Sequence, residues 1–386
     1  VLRSFPEPSE TFIVREIEAL RRDGVPVSVL AGWRAGGKVP AGLDVRWLDR
    51  RGVAVAAAWE DLKGLGPRPR RWARALRLGS MAAAALRILP PDTWRLHAHF
   101  ANDAAALARY LSSVSGVPYR ITAHAYDLFQ DPFLLDPNVR GADRLYTVSE
   151  ANLAYLHERA RRAGWDPARM SILRCGIDLV EFPYRDPPPP RRPARLFCPA
   201  RLVAKKGHAV LLEAVRSLVE RGIDVRMELA GDGPLEADVR NRLSSLGLEG
   251  RVVLLGSITA EEVRERMAAS DAVVLASRVA EDGDRDGLPV VLIEALALGV
   301  PAVSTRVAGI PELLTSATGR TVEPDRADLL AAALAECLRE SPEGRIARAR
   351  AGRLAVEREF DVRRQVEELR PASDGIPCRP TEEPAS

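Results

Sequence analysis

Residues 282–294 read D-G-D-R-D-G-L-P-V-V-L-I-E, and two structures compete for them. Asp282, Asp284, Asp286 and Gly287 open the run as an EF-hand calcium loop opens, with carboxylates at positions one, three and five and a glycine at six. The ending does not follow. Position nine is Val290, position twelve is Ile293, and the expected bidentate glutamate arrives one residue late as Glu294. The upstream strand pattern A-V-V-L-A, from Ala272, gives the run another meaning. It becomes a strand-to-helix loop, with Pro289 in the first helical turn, where its missing N–H costs nothing, and Gly299 closing the helix. The helix start around Gly287, Leu288 and Val290 offers free N–H groups and a positive dipole end to a phosphate. Asp286 precedes that start and Glu294 sits about 1.5 turns inside. Two carboxylates flanking a phosphate can hold hydroxyls on either side, the layout of a nucleotide sugar.

Working outward, the same rhythm of short apolar runs and helical patterns fills the chain. In the first half, strands are predicted from Val25, Asp44, Arg95, Tyr119 and Arg144, with helices over 11–22, 103–113 and 150–163 and N-caps at Ser9 and Ser149. The opening V-L-R-S-F-P reads as the end of a strand. After the proline-rich stretch P-Y-R-D-P-P-P-P-R-R-P, strands are predicted from Arg195, Val225, Val252, Ala272 and Pro301, with a helix over 208–221. Alternation of this kind predicts an α/β fold of two doubly wound, Rossmann-like domains facing an interdomain cleft. The expected division is a domain over 1–182, a hinge over 183–194, a second domain over 195–360 whose last helix can pack back on the first, and a loose extension over 361–386.

Composition sets outer limits. A chain of 386 residues with 46% hydrophobic and 28% charged content is long enough for two globular cores. Lys+Arg 56 against Asp+Glu 53 leaves a net charge of only +3, which gives no sign of nucleic-acid binding. Cys175, Cys198, Cys337 and Cys378 stand far apart, without the C-x-x-C spacing of a zinc site or a disulfide framework, which suits a reduced cytoplasmic compartment. The sequence shows no metal-ligand cluster and no membrane span, so membrane contact is expected to be peripheral.

Two further constellations carry chemistry. In P-A-R-L-V-A-K-K-G, from Pro199, Arg201 and Lys206 lie five residues apart around a turn and can converge on one anion. In H-A-H-F and T-A-H-A-Y-D, His124 and Asp127 follow a strand and are expected to face the cleft, where an imidazole can work on a substrate or serve only as a satisfied polar side chain.

These pieces in this order resemble the retaining glycosyltransferases of family 4, and within them the exopolysaccharide branch that includes colanic acid and amylovoran transferases. The resemblance runs to about Phe360 through S-F-P-E-P-S-E-T-F-I, H-A-H-F-A, T-A-H-A-Y-D, R-C-G-I-D, R-L-V-A-K-K-G-H, G-D-G-P-L, E-D-G-D-R-D-G-L-P-V-V-L-I-E-A and S-T-R-V-A-G-I-P-E-L-L. It implies the GT-B fold, the acceptor bound mainly by the first domain and a nucleotide-sugar donor mainly by the second, with no cofactor and no metal. Carried over position by position, Arg201 and Lys206 hold the donor diphosphate, Glu294 the ribose, Asp286 the sugar hydroxyls, the backbone near Ile258 the base, and His124 stands at the reacting sugar. Two departures are visible: Ala200 replaces the family's leading glycine, and Asp286 replaces the first glutamate of Glu-x7-Glu. The aspartate loses about 1.5 Å of reach, so that either the loop moves in or Asp284 shares the role. A GT-B epimerase or phosphorylase, and a catalytically silent sugar-nucleotide-binding subunit, are the competing readings.

Related transferases commonly take glycan or lipid-linked acceptors, which implies a cytoplasmic enzyme at the inner face of the membrane. Residues 66–89 contain six arginines and no acid. On a helix, Arg70, Arg74 and Arg77 form one stripe while Trp72, Leu76 and Ala83 lie towards another, as on an interfacial helix; an ordinary surface helix has the same text.

Overall fold

Short runs rich in Val, Leu, Ile and Ala, each ended by a polar or glycine-containing turn, become thirteen strands in the computed structural model, which describes residues 1–7, 10–48 and 53–370. The chain divides into two units, residues 1–148, 152–176 and 362–386 forming one and residues 149–151 and 177–361 the other.

In the first unit, β1 (Leu2–Phe5), β2 (Ser28–Arg34) and β3 (Asp44–Trp47) make one parallel sheet. The strands β4 (Leu96–His99), β5 (Tyr119–Ala123), β6 (Arg144–Thr147) and β7 (Met170–Ile172) make another. The helix Asp103–Ser115 buries an almost continuous alanine-rich face, Ala104 to Ala108 with Tyr110 and Leu111. Small side chains let it lie close to the sheet, and Gly116 ends it in a left-handed conformation (φ 74°). Helix Thr11–Arg22 has the bounds expected from its pattern; Ser9, read as its cap, lies outside the described residues.

In the second unit, β8 (Ala194–Pro199), β9 (Val225–Ala230), β10 (Val252–Gly256), β11 (Ala272–Val274), β12 (Ala302–Thr305) and β13 (Arg320–Val322) form one wholly parallel sheet in the order β10-β9-β8-β11-β12-β13. Both faces are covered, so the central strands carry unbroken apolar runs, with Leu196, Phe197, Val273 and Val274 at most 1% exposed. Burial of each such large side chain contributes about 1.5–3 kcal/mol. Chain order moves outward one way from β8 and the other way from β11. The switch point therefore falls between them, and ligands of such sheets bind at the carboxyl ends there.

Three departures from the sequence reading concern the elements and units of the fold. β7 and β13, three residues each, were not read as strands because M-S-I and R-T-V are too short to show a period. The prolines read as a hinge are bound along the second unit: the buried Arg345 donates to Pro188 O at 3.1 Å and to the Asp271 carbonyl, and Arg191 pairs with Asp271 at 2.9 Å. Residues 362–369, read as part of a loose extension, form a helix of the first unit. Its Val362, Val366 and Leu369 recur every three or four residues and pack with Ala19 and Leu20. The rest of that extension, with Cys378, lies outside the described residues.

Candidate functional site

Two loops at the switch point of the second unit carry the predicted donor residues. The loop after β8 turns sharply at Gly207 (φ 61°), where an added Cβ would stand 2.0 Å from Ala276 O. Lys205 O also accepts from Arg278 N at 2.8 Å. The loop is fixed from its other side by G-D-G-P: Leu202 N donates to Asp232 O at 2.7 Å and Leu235 N to Leu202 O at 3.1 Å. Gly231 (φ 141°) and Gly233 (φ 154°) approach the Ala200 and Leu202 carbonyls so closely that a Cβ would lie 2.3 and 2.5 Å from them.

Lys206 Nζ reaches Asp286 Oδ2 at 2.8 Å, and Ser277 Oγ donates to the same oxygen at 2.9 Å. Lys205 Nζ lies 3.0 Å from Asp284 Oδ1 and 3.9 Å from Asp286 Oδ1. Asp286 is buried. Burial alone would raise its carboxyl, but the Lys206 and Lys205 charges and the hydrogen bonds from Lys206 and Ser277 outweigh this and hold it below the ordinary carboxylate range. Asp284, the candidate to share its role, is held by Lys205. Asp282 accepts from Asp284 N at 3.0 Å, so the acidic run closes on itself in a turn and on the two lysines.

The following helix, Val290–Leu298, begins one residue later than expected, with Pro289 as the N-cap instead of a first-turn residue. No side chain caps it, and the chain reverses at Gly299 (φ 83°). It is buried on nearly all sides, which explains its unpatterned apolar text; Glu294 is only 7% exposed within it. Gly287 O accepts from Gly309 N at 2.8 Å, and Leu288 is buried. Ile258 is half-buried beyond the turn at Gly256 (φ 68°). Arg201 is exposed on the first loop and has no ion pair among the described residues. The structure thus joins Lys206 to Asp286, and Arg201 lies on the same loop five residues earlier.

In the first unit, His124 lies between Phe12 and Phe100, with ring centroids 4.9 and 4.8 Å away. Its Nε2 is buried without a hydrogen-bond partner. Burial, aided by His99, pushes its pKa down to about 3, so the ring is neutral. Phe100 has a positive φ of 76°, a strained conformation for a side chain of this size. Asp127 does not face a cleft: it is fully buried and accepts from the amides of Ala101 and His124, joining the ends of β4 and β5. Burial pushes its carboxyl up to about 7 against those two hydrogen bonds.

The absence of a metal-ligand cluster from the sequence reading needs correction. Glu16, His97 and His99 come together with ligand atoms within 4.8 Å of one another. The two histidines alone suggested nothing, because their carboxylate partner is 83 residues from His99 in the chain. Lys205 and Ser277 were likewise missed; one is the first lysine of the quoted K-K pair and the other carries no motif. The arginine stripe over 66–89 also changes. Helix Pro69–Leu86 directs Arg74 to Asp103 at 2.5 Å and Asp131 at 2.5 Å, whereas Arg70, Trp72 and Arg77 remain exposed. Among the described residues no helix is long and apolar enough to cross a membrane.

Residues 9–181 match the family described as Glycosyltransferase Family 4, and residues 185–354 match Glycosyl transferases group 1. A protein of Salmonella typhimurium named as a colanic acid biosynthesis glycosyltransferase, WcaL, is 29% identical over 87% of this chain and 89% of its own. The amylovoran biosynthesis glycosyltransferase AmsK of Erwinia amylovora is 29% identical over 74% of this chain and 70% of its own. Among solved structures, Anabaena HepE, in complex with UDP and glucose, aligns with a TM-score of 0.72 and 19% identity, covering 95% of this chain and 96% of that one. Fold and loops together define a glycosyltransferase of the GT-B class, built from two Rossmann-like units. The chain belongs to the family 4 glycosyltransferases.

Proposed function

We propose that the protein transfers a sugar from a nucleoside diphosphate sugar to a glycan or lipid-linked saccharide in bacterial exopolysaccharide synthesis, with retention of anomeric configuration and without a catalytic metal. The observation that carries this reading is the Lys206–Asp286 pair beside an uncapped helix start at the switch point of the second unit. An ammonium group has three donors, so Lys206 can bind Asp286 and still offer two to phosphate oxygens. Asp286 Oδ2 is taken by Lys206 and Ser277, which leaves Oδ1 to accept from a sugar hydroxyl. In WcaL and AmsK, the relatives' names give the polysaccharide class; HepE, solved with UDP and glucose, gives the donor class.

In the proposed reaction, the bond between the sugar's anomeric carbon and the diphosphate oxygen breaks as the acceptor hydroxyl attacks from the same face. The acceptor proton passes to the departing phosphate oxygen. Lys206, Arg201 and the amides at Gly287 and Val290 stabilise the charge that develops on the diphosphate. His124, neutral and with a free Nε2, orients and polarises the sugar and is not the nucleophile. Glu294 takes the ribose, the backbone near Ile258 meets the base, and Leu288 belongs to the helix start that faces the diphosphate.

The test combines purified protein, a panel of nucleoside diphosphate sugars and saccharide acceptors. Transfer is followed by nucleotide release and by NMR of the product's anomeric centre, with and without added magnesium or manganese. A retained configuration at a rate indifferent to both ions is expected. Inversion, or transfer only with an added ion, overturns the mechanism. Nucleotide binding without any release supports the silent-subunit alternative.

A further inference from the structure

The cluster formed by Glu16, His97 and His99 belongs to the first unit, and none of its three side chains is assigned a role in the proposed reaction beyond the influence of His99 on His124, whose ring centroid lies 6.1 Å from its own. His97 and His99 alternate on β4 and so project from one face of the sheet. Their rings stack at 4.7 Å and 10°. Helix Thr11–Arg22 brings Glu16 over the same face. Glu16 Oε1 stands 3.0 Å from His99 Nε2 and 4.0 Å from His97 Nδ1. The three side chains are 3%, 16% and 7% exposed for Glu16, His97 and His99 respectively.

The hydrogen bonds around the cluster leave it incomplete. His97 Nε2 meets Thr122 Oγ1 at 2.8 Å, which fixes the ring and turns Nδ1 towards Glu16. The 4.0 Å from Nδ1 to the carboxylate is beyond hydrogen-bond reach. Gln365 Nε2 supports the second carboxylate oxygen at 3.3 Å, from the helix Val362–Leu369. Each of two ligand atoms therefore has an orienting partner behind it: a hydroxyl behind His97 and a carboxamide behind Glu16. That is the arrangement found around metal ligands, whose outer partners fix ring and carboxylate orientation.

We propose that Glu16 Oε1, His97 Nδ1 and His99 Nε2 bind a divalent transition-metal ion of the zinc class. Two imidazoles and one carboxylate are a zinc donor set, and bonds of about 2.0–2.2 Å place tetrahedral ligand atoms about 3.4 Å apart. The observed separations, from 3.0 Å up to a limit of 4.8 Å, bracket that value. Coordination replaces the His99–Glu16 hydrogen bond, and His99 then carries its proton on Nδ1. Magnesium and calcium, which take oxygen-rich shells, do not suit this set. The ion joins helix Thr11–Arg22 to β4, with a water molecule as the fourth ligand of its tetrahedron; the donor loops of the second unit contain none of its ligands. The inference does not depend on the proposed transfer reaction.

The experiment uses the tag-free full chain, stripped with a chelator and dialysed. Zinc is titrated against a chromophoric competitor, cobalt(II) is followed by its visible spectrum, and thermal unfolding is recorded with and without zinc. One zinc per chain, a tetrahedral cobalt spectrum and a raised Tm are expected, with no response to magnesium. Glu16→Gln and His99→Ala should each weaken zinc binding at least tenfold, while His157→Ala leaves it unchanged. Circular dichroism checks that each variant is folded. The cobalt spectrum of the unmodified chain gives a readout that depends on no substitution. An absent or octahedral cobalt spectrum, or zinc bound equally well by Glu16→Gln and His99→Ala, overturns the proposal.

Discussion

Lys206 Nζ lies 2.8 Å from Asp286 Oδ2, with the two side chains 14% and 9% exposed. The pair spans 80 residues of sequence and ties the loop after β8 to the loop after β11. It is more than a stabilising contact, because each partner keeps unused capacity: two donors on the ammonium and one oxygen of the carboxylate.

Removal of the ammonium therefore separates phosphate from nucleoside recognition. Lys206→Ala should weaken binding of a nucleoside diphosphate by about 1.5–3 kcal/mol, the range for a charge-assisted hydrogen bond, and Arg201→Ala should act in the same direction. Binding of the nucleoside alone should change little. Calorimetry with both ligands checks this, and equal losses for the two would remove these residues from the diphosphate site.

Asp286 links stability to pH. Its folded-state pKa lies below the unfolded carboxylate value, so its ionised form is favoured in the folded chain. That contribution is complete above the unfolded value and is lost as pH falls through the lower, folded one. The protein's thermal stability should consequently fall through the acid range, and Asp286→Asn should make that part of the profile flatter. In activity, Asp286→Glu should retain transfer, whereas Asp286→Ala and Glu294→Ala should impair it by removing acceptors for hydroxyl groups. Full activity in Asp286→Ala would take the role away from this side chain.

The glycine pair in G-D-G-P is predicted to act through the neighbouring loop. A Cβ at Gly231 would stand 2.3 Å from Ala200 O, and this φ of 141° is one that side chains rarely adopt. Gly231→Ala should lower Tm and weaken nucleoside diphosphate binding together, because the displaced backbone carries Arg201 and Lys206. Gly222→Ala supplies the contrast: its φ is also positive, at 73°, but nothing lies within 4 Å of the added carbon. It should cost stability while leaving the affinity of the folded protein unchanged.

Much of this architecture was legible in the text because local chemistry and global position agree. A parallel strand buried on both faces is apolar throughout, so A-V-V-L-A announces itself, and V-R-M-E-L-A and V-V-L-L-G, exposed at Arg226 and Val253, still keep an apolar majority between turns. Gly207, Gly231 and Gly299 mark places where only a bare backbone fits or turns. What the text concealed was long-range pairing. Nothing near Glu16 signals His97 and His99, nothing near Lys205 signals Asp284, and Ser277 follows β11 without any motif. The misreading of 362–369 as loose has a related cause. A helix of only eight residues shows its apolar stripe weakly, and the surface that completes it comes from Ala19 and Leu20 at the other end of the chain.

Arg74 divides the arginine-rich helix into two functions. Its guanidinium bridges Asp103, which is 3% exposed, and Asp131, and stacks 4.1 Å from the Phe133 ring centroid. Arg74→Gln takes the cation from Asp131 and leaves the buried Asp103 with only Arg3, at 3.8 Å, and should destabilise the first unit by about 3 kcal/mol, at the low end for a broken buried pair. Arg70 and Arg77 are exposed and should tolerate glutamine without a change in Tm. With exposed Trp72 between them in sequence, they retain the means of attracting anionic lipid. Cosedimentation with liposomes should therefore show binding that grows with anionic lipid, weakens with salt through screening, and drops in Arg70→Gln/Arg77→Gln at unaltered thermal stability. Binding that is equal in this double variant and the parent, or absent at every lipid composition, would make the whole helix scaffold and move any membrane contact to another surface.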